Sequence, residues 1–87
     1  MNEKEFAEKL YKVLKRKLKV DCVITISPNG VLEVNIMESF TGLRFKYFKY
    51  LNMFDICDIL SEHYYTMYIA NEIVDGYKQE ILNRYFY

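Results

Sequence analysis

The chain has 87 residues, 12 basic against 12 acidic side chains, and 52% apolar residues. That length holds one domain with one modest core, and the composition excludes a disordered or collagen-like chain. A net charge of zero argues against a generally basic nucleic-acid binder and against an acidic mimic of DNA, unless the charge is segregated in space.

Residues 2–18 predict an amphipathic helix. Asn2 is placed to cap it, with Glu5 as the returning half of a capping box. Phe6, Leu10, Val13, Leu14 and Leu18 recur at helical spacing and form its buried stripe. Glu5–Lys9 and Glu8–Lys12 are oppositely charged pairs one turn apart.

Residues 20–27 and 31–37 alternate as strands. Val20, Cys22, Ile24 and Ile26 share one face of the first; Leu32, Val34 and Ile36 share one face of the second. Both apolar sets must face one core, so opposed residues need equal parity and the loop between them an odd length. Pro28-Asn29-Gly30 supplies it, with Gly30 in the left-handed position and Ile26 opposite Leu32. Residues 43–49 predict a third strand with Leu43, Phe45 and Tyr47 inward and Arg44, Lys46 and Phe48 outward. It joins the second strand through either a tight turn at Thr41-Gly42 or a loop over residues 38–41.

Asn52 is placed to cap a second helix with Asp55 in its first turn and Met53, Ile56, Cys57 and Leu60 inward. Residues 61–65 read as a joint, and a third helix follows over residues 66–85. Its stripe is Met67, Ala70, Ile73, Val74, Tyr77, Ile81 and Tyr85, with Gly76 off the stripe. Two alternatives stay open: the second and third helices are one bent helix, or Tyr64–Ala70 is a fourth strand. The predicted fold is α+β, a single domain of order α-β-β-β-α-α, with a three-stranded antiparallel sheet covered on one face by helices.

Charge is sorted along the chain. Lys12, Lys15, Arg16 and Lys19 lie roughly opposite the apolar stripe of the first helix and read as an uncompensated basic ridge, while residues 51–75 carry acids and no base. With Arg44, Lys46 and Phe48 on the outer sheet face, the ridge is the candidate partner-binding surface. Its bland counterpart is a solvated helix face. Tyr68, Leu82 and Phe86 lie away from the last helix's core stripe, a candidate patch for a homodimer or a partner.

Chemistry-bearing patterns are sparse. His63 is the one histidine, and with Cys22 and Cys57 it makes no recognisable zinc set. Asp55 and Asp58 read as surface acids favoured by a helix dipole, and no phosphate-cradling glycine loop is present. The expectation is a non-enzymatic protein without catalytic residues, metal or cofactor. The cysteines read as core residues of a reducing, cytoplasmic protein, with no signal peptide and no membrane-spanning run. Nine Tyr and six Phe against three Gly and one Pro follow AT-rich codon usage, which points to low-GC bacteria and their phages.

The order helix–strand–strand–strand–helix over residues 2–63 resembles the double-stranded RNA-binding domain. That family grips phosphates with lysines at the start of the helix after the third strand, where this chain has Asn52-Met53-Phe54-Asp55. With the added C-terminal helix the plan is similar to small phage or prophage accessory proteins, some type II anti-CRISPR proteins among them, and so is the ending from Tyr77 to Phe86. This resemblance implies a protein that modulates or inhibits a host or phage protein. A nucleic-acid-binding module is the second reading.

Overall fold

The computed structural model describes residues 3–39, 42–51 and 58–86, and it has the α+β order helix, three strands, helix. Helix α1 spans Glu3–Leu18, strand β1 Cys22–Ile26, β2 Val31–Met37, β3 Arg44–Tyr50, and helix α2 Ile59–Phe86. The strands form one antiparallel sheet in the order β1-β2-β3.

Helix α1 buries Phe6, Leu10 and Leu14 completely, with Val13 and Leu18 packed at their flanks. It ends at Lys19, whose amide donates to the Lys15 carbonyl at 2.9 Å and whose φ of 59° is left-handed, the conformation that closes a helix C-terminus.

The first hairpin has the expected register, Ile26 opposite Leu32. Gly30 takes a φ of 83° and donates to the Ser27 carbonyl at 3.0 Å, and the Ser27 amide donates to the Val31 carbonyl at 2.9 Å. The second connection is the longer loop rather than a tight turn. Met37 pairs with Arg44, and the Glu38 amide donates to the Leu43 carbonyl at 2.9 Å.

The last segment departs from expectation. There is no joint at residues 61–65 and no strand at Tyr64–Ala70, because α2 runs unbroken through both. Asp58 begins it: its Oδ1 accepts from the Ser61 amide at 2.9 Å and its Oδ2 from the Ser61 hydroxyl at 3.0 Å, the geometry of an N-cap. The predicted cap at Asn52 and the inner residues Met53, Ile56 and Cys57 lie outside the described residues, and Leu60, predicted inward, is exposed. At 1.5 Å per residue α2 is about 42 Å long, matching the longest dimension of the molecule, 41 Å.

Both helices cover the same sheet face. The core unites Phe6, Leu10 and Leu14 with Cys22, Leu32, Val34, Ile36 and Leu43, and with Ile69, Ala70, Ile73, Val74 and Tyr77 of α2. The first turns of α2 run antiparallel to α1, with the Phe6 and Tyr65 rings 5.8 Å apart. Its middle lies along β3. There Gly76 is not off the packed side: a Cβ at this position would stand 2.9 Å from Cζ of Phe45, so the missing side chain lets helix and strand approach. Glu72 ties the same two elements, its Oε2 accepting from the Tyr47 hydroxyl at 3.0 Å and from Lys49 Nζ at 3.1 Å. Tyr85, expected on the core stripe, is exposed, and Ile69, omitted from it, is fully buried.

Candidate partner-binding surfaces

Among the described residues, both helices cover one face of the three-stranded sheet and no element covers the other. Period-two alternation puts Val23 and Thr25 of β1, Val31, Glu33, Asn35 and Met37 of β2, and Arg44, Lys46, Phe48 and Tyr50 of β3 on that bare face. Cross-strand rows run Val23–Asn35–Lys46 and Thr25–Glu33–Phe48. Val23, Met37, Phe48 and Tyr50 are all more than half exposed, from 54% at Met37 to 76% at Tyr50. A hollow of about 360 Å³ opens at the end of this face, between Asp21, Val23, Asn35, Met37, Arg44 and Lys46. Asn35 Nδ2 donates to Glu33 Oε1 at 3.2 Å, so the central strand is polar at mid-face, while the edge strands mix apolar Val23, Phe48 and Tyr50 with Thr25, Arg44 and Lys46.

The candidate residues divide between separate surfaces. Arg44, Lys46 and Phe48 share the bare sheet face as expected. The helix ridge does not join them and is not uncompensated throughout. Lys15 makes an ion pair with Asp21, just before β1, where the chain returns past the end of α1. That contact holds the Asp21 carboxyl below the usual carboxylate range and the Lys15 ammonium above its usual value, chiefly through the hydrogen bond. Arg16 faces the other way, into a groove of about 590 Å³ between α1 and the first turns of α2, and Lys12 stands on the crest of α1 between that groove and the β1 side. Lys19 is exposed at the helix end. The expected Glu8–Lys12 pair does not form among the described residues.

Lys9 crosses to α2. Its Nζ donates to Glu62 Oε2 at 2.9 Å, and Glu62 is fully buried. This carboxylate is the functional candidate that the sequence reading missed. Its partner is 53 residues away in the chain, and its neighbours Ser61, His63 and Thr66 dilute the apolar periodicity. His63 is exposed on the rim of the same groove.

Tyr68 and Leu82 are exposed along α2, about 21 Å apart at 1.5 Å per residue. Tyr68 also carries Lys49 Nζ 5.1 Å from its ring centroid. The side chain of Phe86 lies outside the described residues. Cys22 is buried, and burial pushes its thiol up from its ordinary value, so it belongs to the core. Among the described residues no cluster of three or more His, Cys, Asp or Glu could hold a metal ion, and no helix is long and apolar enough to cross a membrane.

Compared with known proteins, the chain matches no family model, no curated protein and no solved structure.

Proposed function

We propose that this chain is a non-enzymatic binding protein that recognises a protein partner through the bare face of its sheet. The observation that carries this reading is the composition of that face. Aromatic residues, Met and Arg are the side chains enriched in the buried centres of protein interfaces, and the face carries Met37 beside Arg44 at one end and Phe48 and Tyr50 toward the other. Its charges are of mixed sign, Arg44 and Lys46 against Glu33 and Asp21, which suits a protein surface of complementary pattern better than a polyanion. A small accessory protein of the phage or prophage kind, acting by covering a surface on a host or phage protein, fits this description. An anti-CRISPR-like inhibitor is one form of it, and cytoplasmic action is part of the same proposal. Self-association through Tyr68, Leu82 and Phe86 is a separate proposal that this reading does not need.

The second reading is a nucleic-acid-binding module. It is favoured by the alternation on β3, where Arg44 and Lys46 adjoin Phe48 and Tyr50 on one open face, as in sheets that stack single-stranded bases. Fluorescence anisotropy with random duplex and single-stranded DNA and RNA at about 150 mM salt separates the two. The expected result is no binding tighter than about 10 µM. Micromolar or tighter binding to single strands or duplex, salt-dependent and lost on reversing Arg44 and Lys46, would put the nucleic-acid module first.

A further inference from the structure

The groove between α1 and α2 carries three kinds of recognition chemistry that the sheet-face reading leaves unused. At its base Glu62 is fully buried but only half satisfied: Oε2 accepts from Lys9, and Oε1 has no hydrogen-bond partner. Thr66 cannot serve it, because its hydroxyl donates to the Glu62 carbonyl at 2.7 Å. Lys9 already balances the carboxylate charge, so what Oε1 lacks is a neutral N–H or O–H donor rather than a second cation. At the rim, Lys12 and Arg16 have no carboxylate partner among the described residues and favour an anion. Val13, Leu60 and Met67 supply apolar surface to the same groove, whose volume of about 590 Å³ is that of a small-ligand site.

A neutral donor, an apolar body and an anionic group, in one small molecule, describe a nucleoside phosphate. We infer that this groove binds one by induced fit, the base pressing between Val13, Leu60 and Met67 to bring an amino or imino N–H to Glu62 Oε1, which is shielded from water in the free protein, and the phosphate resting on Lys12 and Arg16. Other small anions fit less of the site. A free amino acid would bring its ammonium against Lys9 Nζ. A sugar phosphate would leave the apolar walls uncovered, and inorganic phosphate would use only the rim. The site is independent of the sheet face, and no bond is made or broken there.

Isothermal titration of the full chain with AMP and GMP, against ribose 5-phosphate and inorganic phosphate, tests this. At least one of the two nucleotides is expected to bind about tenfold or more tighter than either control. Arg16→Ala, an exposed change, should weaken that binding about tenfold while leaving the melting temperature in place. In Glu62→Gln, Lys9 holds the amide oxygen, so the NH₂ takes the place of Oε1 and turns an acceptor into a donor. That variant should reduce the preference of nucleotide over ribose 5-phosphate to what the apolar walls alone supply and keep the rim's affinity for phosphate. No heat of binding up to about 1 mM nucleotide would overturn the inference. So would equal affinity for nucleotide and phosphate, or an Arg16→Ala variant that binds as wild type. If Glu62→Gln fails to fold, Arg16→Ala and the two control ligands still decide the question.

Discussion

Two glycines illustrate different reasons for the same residue. At Gly30 the φ is 83° and a Cβ would meet nothing within 4 Å, so the requirement is conformational and not steric. Gly30→Val is expected to lower stability by more than about 1 kcal/mol, read as a shift in urea midpoint, because a β-branched residue is strained at positive φ. A midpoint equal to wild type would contradict the turn assignment. At Gly76 the requirement is steric, with Phe45 Cζ 2.9 Å from the position of a Cβ. Gly76→Ala should gain helix propensity of about 1 kcal/mol and lose a similar amount or more to the clash, so its net effect is zero or destabilising. In a Phe45→Leu background the same change should become stabilising, and urea midpoints of the four proteins measure that coupling. The first glycine was legible in the sequence because strand parity demanded an odd loop. The second was not, because the closeness of Phe45 belongs to the packing of elements 31 residues apart.

Among the elements, the three strands and α1 were readable from alternation and helical spacing, since each has one face in the core and one in water. Helix α2 was less so. It packs on α1 at one end, on β3 in the middle and on neither beyond Ile81, so no single stripe describes it. Its start was misplaced because Asp58, its cap, looks like any acid of a helix surface until its bonds to Ser61 are seen. The contact of α2 with β3 has a pH signature. Burial, then the hydrogen bond to Glu72, push the Tyr47 phenol far above its ordinary value of 10.0. The Glu72 hydrogen bond likewise raises Lys49 above 10.5. A pKa raised on folding contributes stability that is complete below the unfolded value and lost as pH rises towards the folded one. Stability should therefore fall above about pH 10, and less steeply in Tyr47→Phe, when urea midpoints are followed from about pH 8 to about pH 11. Equal slopes for the two proteins would show that the Tyr47–Glu72 contact does not hold α2 to the sheet. Some slope should persist in the variant, because burial also raises the Tyr77 phenol.

At the scale of the whole molecule, segregation of charge was legible and its consequence was not. The basic run of α1 suggested one ridge, but the fold turns Lys15 to Asp21 and Lys9 to Glu62 and leaves Lys12 and Arg16 over a groove. The bare sheet face emerged from strand parity alone, whereas the Glu62 groove depends on α1 and α2 meeting and could not be read from either. A sheet covered on one side and bearing Phe48 and Tyr50 on the other gives a broad exposed surface. On the proposed reading this surface meets a protein. Site-specific photo-cross-linking in cells that carry the gene tests it most directly, with the cross-linker placed at Phe48, at Lys12 on the helix groove, or at Tyr68 on α2. The expected result is one discrete protein adduct from position 48 and none of the same mass from positions 12 and 68. A nucleic-acid adduct at position 48, or a protein adduct found only at position 12 or 68, would contradict it.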